Sequence, residues 1–410
     1  MNNSFLFWVK VAIFIYINKR EYDKGEIRMK ILIVSPYFPP DESVAVVRIA
    51  SLCRMLVAEG NFLTLLTNKK TGTTNDNDLK RIRKIEVDIN KFSTNKSGDF
   101  NRIANVYKNE FLKCIKKEKF DIVLITCGPY YTVPLCKLVK QHAMKCIIDF
   151  RDLWIFDIRN IKDFFRPLNI LRKLYFYPKE YEAVKYADRV ITVTPGWKHI
   201  LELQYPAFKK KMRVIYNGFD GEYLMKSKEA ELQNDEQEFK VVTFGKLAYY
   251  SEKYASELLK AYAKFEKQNN NSKIIQLGTK EKNIENMIKN YSVNSFVNEP
   301  FQDYATGIRK LQKANVCILI DIRKHAIGTK IYDYIYANKP IIYIGKKNTY
   351  LEKMVTSLEN GFSCQSSSEI YKILCKIKGN SICYLDKNLV KEKYSREYQN
   401  KMYLNIIKEL

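Results

Sequence analysis

The chain has 410 residues, which is too long for one ordinary domain and fits two domains of about 200 residues each. Its 46% apolar and 13% aromatic residues are enough for hydrophobic cores, which excludes an intrinsically disordered protein. The 70 Lys and Arg residues outnumber the 45 Asp and Glu residues and give a net charge of +25, which favours an anionic partner: nucleic acid, an anionic membrane surface or a phosphorylated small molecule.

The N-terminal extension contains an apolar segment, residues 5–17, that Lys10 interrupts. The segment is shorter than the roughly 20 residues of a membrane-spanning helix, and it lacks the basic start and the cleavage site of a signal peptide. Two interpretations remain open. Either the segment lies in a membrane interface, or translation begins at Met29, because codons for residues 24–26 can contain a ribosome-binding sequence.

From Met29 onward, short β-branched runs alternate with amphipathic stretches. The predicted strands of the first half are residues 30–35, 62–67, 85–89, 120–126, 145–150, 188–194 and 212–217. A helix is predicted over residues 44–60, where Gly60 gives a typical end. Continuous apolar strands that alternate with helices predict a parallel sheet covered on both faces.

A polar, acidic stretch, residues 226–238, separates this half from a second series of strands. These are predicted over residues 240–245, 273–278, 295–300, 315–321 and 340–345, and a long helix is predicted over residues 390–410. The pattern predicts an α/β fold with two doubly wound, Rossmann-like domains. The predicted units are an extension (1–28), a first Rossmann-like domain (29–222), a linker (223–238), a second Rossmann-like domain (239–388) and a C-terminal helix (389–410).

Residues at the carboxyl ends of the strands are the candidates for ligand binding, because open parallel sheets bind ligands there. The first strand runs into SPYFPPDESVAVVR (35–48), which has no glycine; this argues against a dinucleotide cradle and predicts an acceptor pocket. The fifth strand runs into a charged segment, and Asp149, Arg151 and Asp152 there can hold a sugar hydroxyl or act in acid/base catalysis. The alternative is an Asp–Arg pair that only fixes the loop.

The first strand of the second half ends in Gly245 and Lys246, and Lys253 lies at the start of the next helix. The free N–H groups and the dipole at a helix N-terminus attract anions. Two lysines beside such a terminus therefore predict a site for a phosphate or a diphosphate. The alternative is that both are ordinary solvated lysines.

A second helix start follows the strand at residues 315–321, at Gly328 and Thr329. Lys330 adds a positive charge there, and Asp333, one turn further, can accept both hydroxyls of a ribose. A cation for phosphate and an acceptor for ribose together predict a nucleoside diphosphate site. The alternative is a capped helix with a surface ion pair.

From Met29 to its C-terminus the chain resembles the retaining GT-B glycosyltransferases of family 4 (glycosyl transferases group 1), especially those that build bacterial capsule or O-antigen chains. The resemblance rests on six motifs in this order: PYFPPDESVAVVRI, DFRDLW, ADRVITVTPG, VIYNGFD, TFGKL and GTKIYDYIYANKPII. It implies two Rossmann-like domains facing across a cleft, and a C-terminal helix that crosses back to the first domain. It also implies a nucleotide-sugar donor bound mainly by the second domain.

The resemblance places Lys246 and Lys253 at the basic pair that binds the diphosphate, although the spacing here is two residues longer than usual. It places Asp333 at the second glutamate of the E-x7-E motif, which binds ribose, and His325 at the first glutamate, which is a departure. Either the loop 323–328 then supplies the sugar contact in a different way, or the backbone N–H groups of Ile327 and Gly328 do so.

Asp152 lies near the position of an acceptor-side catalytic residue in the family, and Arg151 and Lys330 complete the candidate catalytic set. Fixed cations and N–H groups can stabilise a departing diphosphate without a dedicated nucleophile. No Asp-x-Asp metal motif stands at a strand end, so we expect neither a metal nor a cofactor. We expect a UDP- or GDP-sugar as donor.

The expected acceptor is a saccharide carried on a polyprenyl diphosphate, and the expected location is the cytoplasmic face of the cell membrane, where basic residues attract anionic lipid. The nine cysteines form no pair motif, which favours a reducing compartment and argues against a structural zinc site.

Two other functions remain as alternatives. A nucleotide-sugar 2-epimerase has the same architecture, but it needs paired acid/base groups and histidine, and this chain has only three histidines. A nucleic-acid-binding protein would explain the charge, but no recognised motif is present, so we expect no nucleic acid partner. An AT-rich genome, which over-uses Lys, Asn, Ile and Tyr codons, also explains the excess of lysine.

Overall fold

The computed structural model describes residues 28–41, 44–72, 77–93, 97–156, 166–226, 238–300, 303–379 and 392–410. The predicted extension, up to residue 27, and most of the predicted linker lie outside these residues. The predicted domain boundaries therefore stay predictions.

The first half forms a parallel sheet with the strand order β3-β2-β1-β4-β5-β6-β7 in the described residues. Its strands are β1 Lys30–Val34, β2 Phe62–Asn68, β3 Arg83–Val87, β4 Ile122–Cys127, β5 Lys145–Phe150, β6 Arg189–Thr192 and β7 Met212–Val214. The helices are α1 Val44–Ala58, α2 Asn77–Lys80, α3 Phe100–Lys117, α4 Leu135–Gln141, α5 Pro167–Tyr186, α6 Pro195–Gln204 and α7 Gly221–Lys226.

The second half forms another parallel sheet, with the order β10-β9-β8-β11-β12-β13. Its strands are β8 Phe239–Phe244, β9 Ser272–Leu277, β10 Phe296–Glu299, β11 Val316–Asp321, β12 Ile341–Gly345 and β13 Gly361–Cys364. The helices are α8 Glu252–Gln268, α9 Lys282–Tyr291, α10 Tyr304–Gln312, α11 Lys330–Ala337, α12 Tyr350–Thr356, α13 Ser367–Lys378 and α14 Arg396–Lys408.

The expected pair of doubly wound parallel sheets is confirmed, and each predicted strand has a counterpart. Strands such as β4 and β12 are buried along their whole length, because helices cover both faces of the sheets. Cys127, Cys146 and Cys317 are buried in these strands and pack as small apolar side chains, as expected. Among the described strands only β13 was not predicted, because its sequence GFSC is four residues long and has no apolar run.

The C-terminal helix crosses back to the first sheet, as the resemblance implied. Asn400 on α14 donates a hydrogen bond to Ser51 on α1 at 2.9 Å, and Tyr403 packs among the core residues beneath α1. The prediction of one continuous helix over residues 390–410 was wrong at Ser395, which separates the helical residues 392–394 from those that follow. Ser395 pairs with Phe219 as a parallel bridge and caps the helix that follows, so α14 begins at Arg396.

The carboxyl ends of the two sheets face each other. Thr194, which follows β6, donates a hydrogen bond from its hydroxyl to the carbonyl oxygen of His325, which follows β11, at 3.0 Å. The ring of Tyr216, after β7, lies 6.5 Å from the ring of Tyr332 on α11. The strand-end residues named above therefore border one cleft between the two halves.

Candidate active site

The strand order of the second sheet reverses between β8 and β11, which is where doubly wound sheets form a binding crevice. Gly245 directly follows β8 with φ +74°, a left-handed conformation that favours glycine. A Cβ at Gly278, which follows β9, would lie 2.8 Å from the Cα atom of Gly245. The two loops thus approach backbone to backbone, and no side chain other than hydrogen fits between them.

Lys330 occupies this crevice from the opposite side. It is the first residue of α11, and its Nζ donates a hydrogen bond to the carbonyl oxygen of Lys246 at 2.9 Å. A Cβ at Gly245 would lie 3.4 Å from Cε of Lys330, so the lysine passes directly over the glycine. The predicted Gly245, Lys246 and Lys330 are therefore brought together by two different loops.

A buried tyrosine holds α11 in this position. The hydroxyl of Tyr334 accepts a hydrogen bond from the N–H of Phe244 at 2.9 Å and donates one to the carbonyl of Ile318 at 3.0 Å, which ties the helix to β8 and β11. Thr329 stands at the N-cap, but its side chain makes no capping hydrogen bond. The alternative interpretation of the sequence was a helix capped by a side chain, and α11 has no such cap at Thr329.

The electrostatic setting of Lys330 is mixed. Burial lowers the pKa of Lys330 to about 8, while Glu281, Asp321 and Asp333 act in the opposite direction. Glu281 is itself fixed, because its carboxylate accepts hydrogen bonds from the N–H of Leu247 at 2.5 Å and from the amide of Gln276 at 3.0 Å. Part of the charge on Lys330 is thus uncompensated, and an anion in the crevice would stabilise it.

Asp333 lies one turn further along α11 and is buried. One of its oxygens accepts a hydrogen bond from the hydroxyl of Tyr304 at 2.6 Å. Burial raises the pKa of Asp333 to about 7, and the Tyr304 bond, Arg396 and Lys330 oppose that rise. Its predicted role as the ribose acceptor stays a prediction, and it would involve a carboxylate that already has one protein partner.

Arg323, in the loop between β11 and α11, is held at the end of β11 by Asp321. Its Nε and Nη2 donate to the two carboxylate oxygens at 3.0 and 2.6 Å, and its guanidinium lies 4.1 Å from the centre of the Tyr250 ring. Burial acts to lower the pKa of Arg323, but the bonds to Asp321 raise it, and Asp152 of the first half adds to this rise. Asp152 and Arg323 therefore interact across the cleft.

On the first-domain side, Asp152 is exposed, and its carbonyl oxygen accepts a hydrogen bond from the hydroxyl of Tyr130 at 3.1 Å. Arg151 donates hydrogen bonds to the carbonyls of Cys127 and Gly128, so it braces the end of β4. Asp149 is buried and paired with Arg48.

That buried pair has a distance of 3.0 Å between Nε of Arg48 and Oδ2 of Asp149. The Asp–Arg alternative weighed from the sequence thus holds for Asp149, with an arginine from α1 as its partner. Asp152, which is exposed toward the cleft, remains the candidate.

His325 lies where the two halves touch. Besides the bond to its carbonyl from Thr194, its ring lies 5.8 Å from the ring of Tyr350, and its Nδ1 is buried with no hydrogen-bond partner among the described residues. Burial, followed by Lys324 and His199, lowers the pKa of His325, so the ring is neutral near pH 7. Its backbone contributes to the contact between the halves.

Beside the crevice lies an open cleft of about 480 Å³. It is lined by Lys246, Ala248, Tyr249, Tyr250, Ser251, Glu252, Thr279, Lys280, Glu281 and Asn283.

Of the other predicted donor residues, Gly328 lies next to Arg323, since a Cβ at Gly328 would be 3.3 Å from Nη2 of Arg323. Lys253 is exposed in the first turn of α8 and is not part of the cleft lining. The structure thus groups the predicted donor residues except Lys253.

Sequence reasoning missed several residues of this site. Asp321 and Arg323 follow a buried strand as DIR, the same signal that singled out DFRD in the first half, so they could have been found. Glu281 similarly follows β9. Tyr304 and Arg396 come from helices far away in sequence and carry no local signal.

The described residues contain no group of three or more His, Cys, Asp or Glu side chains placed to hold a metal ion. The expectation that no metal takes part stays a prediction. Among the described helices, none combines the length and the apolar character needed to cross a membrane.

Two family models match consecutive parts of the chain. The model described as Glycosyltransferase Family 4 matches residues 45–223, and the model described as Glycosyl transferases group 1 matches residues 225–378. Together they cover all of residues 45–378 except Leu224. A search of curated proteins gave no match.

The fold is similar to several solved structures at low sequence identity. The Anabaena protein Alr3699/HepE in complex with UDP has a TM-score of 0.66 at 14% identity, covering 93% of this chain and 100% of that one. Sucrose-phosphate synthase from Thermosynechococcus elongatus has a TM-score of 0.64 at 12% identity, covering 93% and 99%. The UDP-GlcNAc 2-epimerase from Neisseria meningitidis, bound to UDP-GlcNAc, has a TM-score of 0.61 at 12% identity, covering 93% and 100%.

Proposed function

The chain belongs to the GT-B glycosyltransferases of the family 4 and group 1 type, and from this membership we propose that it moves a hexose from a nucleoside diphosphate sugar to a saccharide acceptor with retention of configuration. The donor is a UDP- or GDP-sugar. The acceptor is a saccharide on a polyprenyl diphosphate, and the product is part of a capsule or O-antigen chain. Neither a cofactor nor a metal is required.

The observation that supports this proposal best is the position of Lys330. Its ammonium group lies at the reversal point of the second sheet, over Gly245, and its hydrogen-bond partner within the described part of the chain is a backbone carbonyl. A diphosphate in the crevice would replace that neutral acceptor by an anion and would gain a charge-assisted hydrogen bond. The N–H groups at the start of α11 point to the same region and add to the attraction for an anion.

The chemistry follows from where charge develops. When the bond between the anomeric carbon and the diphosphate oxygen breaks, negative charge grows on the departing diphosphate. Lys330 and the adjacent N–H groups are fixed before the reaction and therefore stabilise that charge without reorganisation. Arg323 is held by Asp321 and lies between this region and the acceptor side.

The acceptor side belongs to the first half. Asp152 is exposed toward the cleft and is electrostatically coupled to Arg323, so its carboxylate can orient an acceptor hydroxyl or take its proton. Arg151 positions the loop through its bonds to the end of β4. This division, donor on the second half and acceptor on the first, is consistent with domain closure around both substrates.

The location that fits this acceptor is the cytoplasmic face of the cell membrane. A net charge of +25 attracts the chain to anionic lipid. Binding to vesicles that weakens with salt would support this location, and binding that ignores salt would contradict the electrostatic part of the proposal.

A screen of nucleoside diphosphate sugars tests the reaction. Release of nucleoside diphosphate that requires a saccharide acceptor supports the transferase. An epimerase, the activity named for one of the structural neighbours, would convert the donor sugar without an acceptor. Conversion of the donor alone would therefore overturn the proposal in favour of the isomerase.

A further inference from the structure

One carboxylate lies on the buried side of α5. Phe176, Glu180 and Val184 recur every four residues, so they share one side of this helix, and they are 4%, 1% and 0% exposed. Val184 packs in the hydrophobic core of the first half, as an inward-facing residue is expected to do. Burial of an acid costs free energy unless polar partners compensate it. The partners of Glu180 therefore indicate its role.

Both carboxylate oxygens of Glu180 accept hydrogen bonds from outside α5. Oε2 accepts one from the backbone N–H of Ile155 at 3.1 Å. Oε1 accepts one from the hydroxyl of Tyr205 at 2.9 Å and one from the side-chain amide of Gln204 at 3.1 Å. In the part of the chain that the structure describes, no cation forms an ion pair with this carboxylate. Glu180 thus joins the loop after β5 to the end of α6.

The loop that Glu180 contacts carries the acceptor-side candidate Asp152. This loop, residues 151–156, is held at three points. Arg151 donates a hydrogen bond to the end of β4, and the ring of Trp154 stacks at 4.8 Å on an aromatic ring that follows β4. The third point is the bond from the N–H of Ile155 to Glu180. These contacts fix the backbone on both sides of Asp152 and leave its side chain exposed.

We propose that Glu180 is a positioning residue for sugar transfer: through Ile155 it holds the loop 151–156 in the conformation that presents Asp152 to the acceptor hydroxyl. The inference rests on the proposed function, because it uses the role given there to Asp152. Glu180 is buried and acts only through the loop. A carboxylate accepts an N–H more strongly than a neutral oxygen does, so the charge on Glu180 sets how firmly the loop is held.

That charge changes near neutral pH. Burial raises the pKa of Glu180 to about 7, and the hydrogen bonds from Tyr205, Ile155 and Gln204 oppose the rise. Above this pH the ionised carboxylate makes a charge-assisted bond to the N–H of Ile155. Below it the protonated acid loses that assistance, and the loop is held less firmly.

The groups that face Glu180 carry no positive charge. Tyr205 follows α6, and burial raises the pKa of its hydroxyl. The rings of Tyr177 and Tyr181, on α5 itself, lie 6.0 and 6.1 Å from the ring of Tyr205. At the end of β4, the buried thiol of Cys127 interacts electrostatically with Glu180, and burial raises the pKa of this thiol as well. The surroundings of Glu180 are thus hydroxyls and a thiol, and its own proton controls the local charge.

Hydrogen–deuterium exchange of the full chain, measured by mass spectrometry over residues 151–156, tests the hold on the loop without a substrate. Glu180→Gln keeps the size of the side chain and an oxygen for Ile155 but removes the charge. At pH 8 these amides should exchange about ten-fold faster in the variant than in the unmodified chain, because a charge-assisted bond becomes a neutral one. At pH 5 the two rates should agree, because Glu180 is then protonated in the unmodified chain too.

Glu182→Gln is the matched control. Glu182 lies on the same helix, its side chain is 44% exposed, and it pairs with Lys137 at 2.8 Å on the surface. Exposed pairs of this kind contribute little to stability. Exchange of residues 151–156 should therefore be the same in this variant and in the unmodified chain at both pH values.

Turnover tests the positioning role. At pH 8, Glu180→Gln should lower kcat at least about ten-fold and leave nucleoside diphosphate affinity unchanged, because the donor residues lie on the second half. The variant should also lose the rise in kcat around pH 7 that the unmodified chain shows. Because Glu180 acts through Asp152, the double variant with Asp152→Asn should be no slower than Asp152→Asn alone.

Tyr205→Phe keeps the test decisive if the glutamine variant does not fold. It retains the carboxylate but removes a hydrogen bond that favours its charged form. The midpoint of the pH dependence, in exchange and in kcat, should therefore move upward by about one pH unit.

Three results would contradict the proposal. The first is equal exchange of residues 151–156 in Glu180→Gln and the unmodified chain at pH 8. The second is faster exchange with normal kcat, which would make Glu180 only a structural contact. The third is an unchanged midpoint in Tyr205→Phe. A chain whose loop responds as expected but that transfers no sugar from any donor contradicts the proposed function instead, and leaves the hold of Glu180 on the loop in place.

Discussion

The ammonium group of Lys330 donates a hydrogen bond to the carbonyl oxygen of Lys246 at 2.9 Å, and this bond joins the start of α11 to the loop after β8. A cation in such a place is costly, because burial lowers its pKa to about 8. Acidic neighbours reduce that cost only in part. The pair Lys330 and Lys246 therefore has the properties of a site prepared for an anion rather than of a purely structural contact.

Lys330→Ala should reduce turnover more than donor binding, because the charge on the diphosphate grows as the bond breaks. By comparison with the loss of one preorganised donor in other enzymes, kcat should fall by about 10²–10³. Calorimetry with the nucleoside diphosphate and a turnover assay measure the two effects. Lys253→Ala is the comparison: Lys253 lies outside the cleft lining, so its loss should change both quantities by much less.

Asp333→Ala should weaken donor binding, because it removes hydrogen bonds from ribose hydroxyls to a charged group. Each such bond contributes about 1.5–3 kcal/mol, which corresponds to a loss of roughly ten- to several-hundred-fold in affinity. Tyr304→Phe is the control, since it removes the 2.6 Å bond to Asp333 but keeps the carboxylate. Nucleotide binding at the unmodified level in the alanine variant would show that Asp333 serves only to anchor α11 to α10.

The stability of the protein should depend on pH through Asp333. Burial raises its pKa to about 7, whereas the unfolded chain has a value near 4. Between about pH 4 and pH 7 the folded state binds more protons than the unfolded state, so stability falls as pH rises through this window.

Asp333→Asn removes the titration and keeps an oxygen for Tyr304. Relative to the unmodified chain, the variant should gain about 1–3 kcal/mol of stability between pH 4 and pH 8. Urea unfolding at several pH values measures this difference. Glu180, whose pKa burial also raises to about 7, keeps its own contribution, so some slope should remain in the variant. Parallel curves for the two proteins would contradict the assignment to Asp333.

The sheets and the helix start at residue 330 could be predicted from local pattern, because buried parallel strands are continuous apolar runs and glycine marks the turns after them. Lys330 and Asp333 were selected because they lie in the first turn of a helix that begins after Gly328 and Thr329, beyond the loop at the carboxyl end of a strand. Lys253 was selected only because it lies near a helix start. Its side chain is exposed, so proximity to a helix start does not by itself predict the direction of a long side chain.

Local sequence pattern could not predict the contacts that Asp333 makes with residues far away in the sequence. The hydroxyl that contacts Asp333 comes from α10, and the nearby Arg396 comes from the crossing helix. The position of Tyr304 depends on how α10 packs beside α11, and that of Arg396 on how the crossing helix returns past α11; no spacing within the sequence reports either. The burial of Asp333, and hence its raised pKa, follows from the same packing.

Asp152→Asn should leave nucleoside diphosphate affinity near normal and lower turnover, because Asp152 belongs to the acceptor side. Loss of a general base or of an orienting carboxylate typically costs about 10²–10⁴ in rate. Arg151→Lys serves as the positioning comparison. It shortens the reach to the carbonyls of Cys127 and Gly128, so it should reduce thermal stability together with turnover. Normal turnover in the Asp152 variant would remove that residue from the catalytic set.

The contact between the halves should be needed for turnover but not for donor binding. Gly196, on α6, packs against His325; a Cβ there would lie 2.7 Å from the Cα atom of His325 and closer still to its carbonyl oxygen. Gly196→Ala must therefore push the two halves apart, although alanine is intrinsically the better helix former by about 1 kcal/mol.

We expect this variant to bind nucleoside diphosphate like the unmodified chain, because the donor residues lie on the second half. Its kcat should fall at least about ten-fold, because Asp152 and Arg323 no longer approach each other. Gly98→Ala is the matched control, since a Cβ at Gly98 would have no atom within 4 Å and should change neither quantity. If Gly196→Ala instead turns over normally, closure through the Thr194 and His325 contact is not part of the reaction. If it loses nucleotide binding as well, the donor site extends further toward the first half than its strand-end residues indicate.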